Sequence, residues 1–127
     1  MDPVDYGNYG QDIRDRCFRF ACRIVEFCKH LLNDGGVARI LAPQLLRCGT
    51  SVGANLEEAR GGESRRDFIS KCRISLKEAR ESAYRLRIVV ATQVGPAKDA
   101  ADLGTEADEI ASILGAIIRN ARRNASL

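Results

Sequence analysis

Apolar residues recur at intervals of three and four along most of this chain. This spacing is the period of an α-helix that buries one face. Four such segments follow one another, and they predict helices from about Asp12 to Leu32, Val37 to Arg60, Arg66 to Thr92, and Thr105 onward. The predicted core positions of the first helix are Ile13, Cys17, Phe20, Ile24, Phe27 and Leu31.

Glycine-rich breaks separate the segments at residues 33–36, 61–64 and 95–96. Two local signals refine the boundaries. Pro43 predicts a short turn before it in the second segment, and Thr105 with Asp108 resembles a capping box that opens the fourth helix after a connection over 96–104. The remaining predicted core positions are Ile40, Leu41, Leu45, Cys48, Val52, Leu56 and Ala59, then Phe68, Cys72, Leu76, Ala79, Ala83, Leu86 and Val90, then Ile110, Leu114, Ile117, Ile118 and Ala121.

Short turns between long amphipathic helices make neighbouring helices antiparallel. We therefore predict an all-α fold, an antiparallel up-down-up-down four-helix bundle. Residues 1–10 are predicted to form an irregular arm and residues 11–127 a single domain.

The chain has 127 residues, of which 45% are hydrophobic, so it can bury one sizeable core. No segment reaches the roughly 18 apolar residues that cross a bilayer, and the first ten residues lack the apolar stretch of an export signal, so we expect a cytoplasmic protein with no membrane partner. The five cysteines form no C-x-x-C pair and are expected to be reduced core thiols. They are Cys17, Cys22, Cys28, Cys48 and Cys72.

Catalytic patterns are missing from the sequence. A di-iron bundle needs Glu-x-x-His pairs from two helices, but the single histidine, His30, follows Glu26 by four residues. One histidine placed near a helix end assembles no nucleophilic triad, and no phosphate-binding glycine loop is present. We predict no enzyme activity, no metal and no cofactor.

The second helix contains an unusual small-residue stretch. Gly49 and Gly53 are four residues apart, so they share a face, although each costs about 1 kcal/mol relative to Ala within a helix. Three interpretations stay open: close packing inside the bundle, an oligomer seam, or a ligand groove. Asn55 and Glu58 lie beside this face, where a polar group can fix register. The antiparallel topology predicts a polar network joining them to Lys71, Ser75 and Glu78.

Arginine dominates the basic residues, with 16 Arg against 4 Lys. Arg is preferred for bidentate contacts with phosphate. On the third helix, five cations and one tyrosine fall within an arc of about 80°. These candidate nucleic-acid-binding residues are Arg66, Arg73, Lys77, Arg80, Tyr84 and Arg87.

A second basic cluster is predicted at one end of the bundle, from Arg14, Arg16, Arg19, Arg60, Arg65, Arg66, Arg119, Arg122 and Arg123. The opposite end would gather Asp99, Asp102, Glu106, Asp108 and Glu109. Such charges can bind nucleic acid. They can equally be solvated flanks, or pair with acids of a neighbouring subunit, for which Glu57, Asp67 and Glu81 are available.

Residues 47–60 (RCGTSVGANLEEAR), 64–71 (SRRDFISK) and 75–86 (SLKEARESAYRL) resemble the bacterial four-helix-bundle family of large-subunit rRNA intervening-sequence proteins. The resemblance implies a homo-oligomer, a pentamer, with a role in nucleic-acid binding and no catalytic residues. The accessory protein of diversity-generating retroelements is similar in architecture, which implies a reverse transcriptase as a further partner. This sequence departs from the family pattern at Cys48, where Ser is frequent, and at Arg85, where Trp is frequent.

Two functions therefore stay open. The first is a homo-oligomeric bundle that binds RNA or DNA through phosphates. The second is a structural scaffold without a nucleic-acid partner.

Overall fold

The computed structural model describes residues 10–61 and 64–125, which form four α-helices and no strand. They are α1 (Gly10–Asp34), α2 (Gly36–Arg60), α3 (Arg65–Thr92) and α4 (Ala97–Ala125). Each helix packs on the next, and α4 closes the bundle on α1. The predicted all-α up-down-up-down bundle is confirmed. The predicted N-terminal arm lies outside the described residues, apart from Gly10, which begins α1.

The core is built from the predicted stripes. All six core positions predicted for α1 are buried, as are all five predicted for α4. Phe20, Leu56, Leu86 and Leu114 are among the large side chains that are almost fully enclosed, one from each helix. The prediction was wrong at Ile40, which is 67% exposed near the start of α2. No helix in the described part of the chain is long and apolar enough to cross a membrane.

Pro43 lies inside α2, which runs without a break from Gly36. The turn predicted before it was therefore wrong. A proline in a helix interior removes one backbone hydrogen bond and usually bends or ends the helix. Burial of Ala38 and Ala42 against the other helices keeps the first turns of α2 in place. The chain passes from α1 to α2 through Gly35 alone, and the φ angles of Gly35 and Gly36, 71° and 56°, favour glycine.

The fourth helix begins at Ala97, eight residues before the predicted capping box. Thr105 is consequently an interior residue, and its hydroxyl donates to the carbonyl of Ala101 at 3.2 Å. Ala100 and Leu103 are buried and extend the apolar stripe of α4 towards its N-terminus. Their burial, together with the helix-forming alanines of this stretch, outweighs the capping signal.

Candidate nucleic-acid interface

The stripe of cations on α3 lies on the outer surface of the bundle. The N-terminus of α3 is fixed by Ser64, whose side chain accepts a hydrogen bond from the backbone N–H of Asp67. From there the buried stripe of α3 faces α2 and α4, and the predicted basic face is left outside. Arg66, Arg73, Lys77, Arg80, Tyr84 and Arg87 are all exposed. We call these six residues the α3 basic stripe.

Among the described residues, the five cations of the α3 basic stripe have no acidic partner. Within residues 10–61 and 64–125, no carboxylate lies within ion-pairing distance of its five cations. Five unneutralised positive charges on one helix face create a positive potential along that face.

Two of the three acids predicted to be available to a neighbouring subunit are occupied inside the chain. Arg85 donates to Glu81 at 2.8 Å, and Arg47 of α2 contacts both Glu78 and Glu81. These hydrogen bonds lower the pKa of Glu81 below its ordinary value, and the bond from Arg85 has the largest effect. Glu57 contacts Arg14 and Arg60. Arg85 is therefore engaged with Glu81. Its neighbour Tyr84 is the aromatic residue of the α3 basic stripe, and its side chain is exposed.

Several arginines of the predicted cluster at one end of the bundle make contacts within the chain. Arg14 and Arg60 are held by Glu57, and Arg65 donates to the carbonyl of Ala121 at 3.4 Å. Four further predicted cluster members have exposed side chains: Arg19, Arg119, Arg122 and Arg123.

The prediction that Glu106 and Glu109 lie at the end of the bundle opposite Arg16 was wrong. Arg16 donates to Glu106 at 2.6 Å and also contacts Glu109 at 3.3 Å, although these acids were placed at the opposite end. Because α4 begins at Ala97, both glutamates lie well inside that helix and level with Arg16. The hydrogen bond that Arg16 donates to Glu106 raises the pKa of Arg16 above its ordinary value.

Gly49 and Gly53 face α1. A Cβ atom on Gly49 would stand 2.8 Å from the side chain of Ile24, and one on Gly53 would stand 3.3 Å from Cβ of Cys17. The absent side chains thus let α1 and α2 approach closely. This arrangement corresponds to close packing inside the bundle, the first of the three interpretations.

The predicted polar network divides into separate contacts. Lys71 reaches Glu58 at 3.4 Å, whereas Asn55 donates to the carbonyl of Ser51 in its own helix. Ser75 is fully buried and donates to the carbonyl of Val52 at 2.6 Å. Ser75 therefore fixes α3 on α2, and the hydrogen bond of Asn55 stays within α2.

Four of the five cysteines are core residues. Burial raises the pKa of Cys17 and Cys72 to about 12 and that of Cys28 to about 11, and it also raises the pKa of Cys48. Cys22 is exposed on α1, so its predicted burial was wrong. No group of three His, Cys, Asp or Glu side chains in the described residues is arranged to hold a metal ion.

An exposed apolar row on α1 was not predicted. Phe18, Val25 and Leu32 are 69%, 37% and 38% exposed. They repeat every seven residues, so they share one face of the helix, and Cys22 lies on the same side. The signal was present in the sequence as a second apolar stripe beside the buried one. We call Phe18, Val25 and Leu32 the α1 apolar row.

Comparison with known proteins adds three findings. A family model described as 23S rRNA-intervening sequence protein matches residues 11–116. A crystal structure from Bacteroides thetaiotaomicron, described as a protein with unknown function from the S23 ribosomal protein family, is 38% identical to this chain. That similarity covers 84% of this chain and 97% of the other, with a TM-score of 0.77. None of the curated proteins compared with the chain matches it.

Proposed function

Because this chain belongs to the family of 23S rRNA-intervening sequence proteins, we propose that it is a non-enzymatic accessory protein that binds RNA or DNA through phosphates as a homo-oligomer. The observation that carries this proposal is the α3 basic stripe, whose five cations are exposed and lack carboxylate partners among the described residues. A row of cations that no nearby acid neutralises can bind the phosphates of a nucleic-acid backbone.

The length of the stripe suits several successive phosphates. Arg66 and Arg87 are 21 positions apart, which corresponds to about 32 Å along an α-helix. Arginine guanidinium groups can contact phosphate oxygens in pairs. Tyr84 lies between Arg80 and Arg87 and is 59% exposed, so its ring offers one platform on which a base could stack.

Self-association is supported by the α1 apolar row. Three large apolar side chains exposed along one helix are unfavourable in water and are typical of a surface that another protein covers. In a ring of copies, each α3 basic stripe would be repeated, which multiplies the positive potential. The subunit number that the family resemblance implies is five. A reverse transcriptase is the further protein partner included in this proposal.

The second candidate function is a scaffold with no nucleic-acid partner. The α1 apolar row favours it as much as it favours an oligomeric binder, because burial of that row requires only protein contacts. The two functions differ in whether the α3 basic stripe binds phosphates.

A salt titration separates them. Binding of the protein to a labelled RNA or DNA is measured between about 50 and 200 mM salt. We expect a steep log–log slope that becomes shallower by about 2 to 3 units when Arg73, Lys77 and Arg80 are replaced by Ala, since each lost phosphate contact removes about 0.9. The matched control replaces Lys29, Arg39 and Lys98, three exposed cations outside α3, by Ala. It should keep the wild-type slope.

The contrary results are equally clear. If the protein binds no nucleic acid at low salt, the scaffold remains as the only one of the two candidate functions. An equal loss of slope in the control means that net charge, not the α3 basic stripe, attracts the nucleic acid.

Self-association is tested by light scattering of Phe18→Asp against Ile40→Asp, because these side chains are 69% and 67% exposed. Only Phe18→Asp should lower the measured mass.

A further inference from the structure

An open groove lies between α3 and α4 on the surface of the bundle. Its volume is about 360 Å³. Small residues line most of it: Ala83 and Ala91 of α3, and Ala100, Ala101 and Gly104 of α4. Because long side chains are missing from these positions, large apolar side chains of another helix can pack between the two helices. We call this feature the α3–α4 groove.

The α1 apolar row lies on the opposite face of the bundle. The helices pack around the bundle in the order α1, α2, α3, α4, so the α1–α2 face is opposite the α3–α4 face. Arg14 and Cys28 are three or four residues from members of the row, and both contact α2. Arg14 contacts Glu57 at 3.4 Å, and the thiol of Cys28 donates to the carbonyl of Ala42 at 3.6 Å. The row is therefore on the α2 side of α1.

The α1 apolar row and the α3–α4 groove are at the same height along the bundle axis. Leu103, which precedes Gly104 of the groove, lines a second cleft together with Glu26 and Phe27 of α1. Val25, the middle member of the row, is next to Glu26. A second copy that is rotated about an axis parallel to the bundle, without sliding along it, can therefore bring its row to the groove.

The charges beside the two surfaces are complementary. Asp108 lines the α3–α4 groove on α4, and Arg19 follows the first member of the row on α1. Both are exposed, and neither makes an ion pair with another residue of the described ranges. Since α1 and α4 are antiparallel, Arg19 and Asp108 lie on the same side of the Glu26–Leu103 level, within about one helical turn of each other.

The other charges near these surfaces do not oppose this contact. Arg14 is paired with Glu57, and Lys29 is paired with Glu26. Arg87 borders the α3–α4 groove on its α3 side, where it is the last cation of the α3 basic stripe. The anion of the groove is thus on α4, away from that stripe.

We propose that the α1 apolar row of one copy packs into the α3–α4 groove of a second copy, with Arg19 of the first facing Asp108 of the second. This inference rests on the self-association included in the proposed function. Two different surfaces on opposite faces make a head-to-tail contact, which leaves one row and one groove free for further copies. Because the surfaces are at the same height, successive copies close into a ring and do not form a helical filament.

A mixing experiment tests which surfaces meet. Phe18→Asp disrupts the row, and Ala101→Arg places a long charged side chain in the groove at an exposed position. By light scattering, each variant alone should have the mass of one chain, 14.0 kDa. An equimolar mixture should form a dimer of twice that mass, because one copy retains its groove and the other its row. Ser70→Arg, exposed on α3 outside the groove, is the control and should keep the wild-type mass.

Charge reversal tests the contact between Arg19 and Asp108. Arg19→Asp and Asp108→Arg should each raise the concentration needed for assembly by about tenfold, and the double variant should restore it. Asp108→Arg combined with Arg23→Asp should restore nothing, because Arg23 is exposed on the α4 side of α1. If the double reversal assembles no better than the single variants, Arg19 does not face Asp108. Circular dichroism checks that every variant keeps its helices.

The contradicting outcomes can be told apart. If Ala101→Arg keeps the wild-type mass, the row packs against another surface, so this inference fails and self-association stands. If both variants dissociate but their mixture forms no dimer, the two surfaces do not meet. If the wild-type protein has the mass of one chain, self-association fails together with this inference, whereas the salt titration still decides whether the α3 basic stripe binds nucleic acid.

Discussion

A methyl group on Gly49 would stand 2.8 Å from both Cγ1 and Cγ2 of Ile24, across the interface of α2 and α1. Both branches of the β-branched side chain are involved, so a change of its rotamer gives little relief. Overpacking of this kind costs about 1 to 3 kcal/mol, more than the gain of about 1 kcal/mol from replacing a helical glycine by alanine. Gly49→Ala should therefore lower the free energy of unfolding by up to about 2 kcal/mol.

Urea denaturation measures this effect, and Gly104→Ala is the matched control. Gly104 is also a helical glycine, but its nearest neighbour, Cβ of Leu86, would be 3.9 Å away. This substitution should raise stability by up to about 1 kcal/mol. Equal destabilisation by both substitutions would show that close approach to Ile24 is not the reason for Gly49.

Ser75 connects α3 to α2 through its hydrogen bond to the carbonyl of Val52. Ser75→Ala should lower the free energy of unfolding by about 1 kcal/mol, the usual contribution of one buried hydrogen bond. Ser51→Ala is the control, because the hydroxyl of Ser51 donates to the carbonyl of Arg47 in its own helix. It should change stability by much less, and a comparable loss in both variants would contradict a role of Ser75 between helices.

Thiol reactivity should distinguish Cys22 from the other cysteines. Thiolates are the reactive form, and burial raises the pKa of the four core thiols, whereas Cys22 is exposed. A chromogenic disulfide reagent at pH 8 should titrate one thiol per native chain and five after denaturation. Cys22→Ser should remove the native reaction. Rapid reaction of a second thiol would show that the core opens on the time scale of the assay.

Because the pKa values of the core thiols are raised, the protein should become less stable at high pH. In the unfolded chain these thiols ionise near their ordinary pKa of about 8.5, but in the folded chain those of Cys17 and Cys72 ionise only near 12. The unfolded state therefore releases protons first, and stability is complete below about pH 8 and falls as the pH rises above it. Replacing Cys17 and Cys72 by Ala should flatten this decline in urea denaturation at pH 7 to 10.

Glu81 should make the protein less stable at low pH, whereas the core thiols make it less stable at high pH. Its pKa in the folded chain is lowered, chiefly by the hydrogen bond from Arg85, so its stabilisation is present above about pH 4.3 and is lost as the pH falls through the folded value. Glu81→Gln should lower stability by about 0.5 to 1 kcal/mol at pH 7 and by less at pH 3. Glu26→Gln is the control, because Glu26 is exposed and contacts Lys29 of its own helix. It should change stability at pH 7 by much less than Glu81→Gln does.

Much of the candidate site followed from helical periodicity. Once the apolar stripe of α3 is known, Arg73, Lys77 and Arg80 must project away from it, because side-chain direction along a helix is fixed at 100° per residue. Their exposure is therefore a consequence of the amino-acid spacing alone. Whether a carboxylate from another helix reaches them depends on how the helices are aligned along the bundle axis. The sequence of one helix does not determine that alignment.

The sequence by itself determined the four amphipathic helices, their antiparallel order and the outward face of α3, since these depend on local spacing and short connections. Only the tertiary structure decided that α4 begins at Ala97, that α2 continues through Pro43 and that Arg16 meets Glu106. Each of these depends on burial against, or alignment with, a neighbouring helix. Such packing can outweigh a local capping or breaking signal because it removes whole side chains from water.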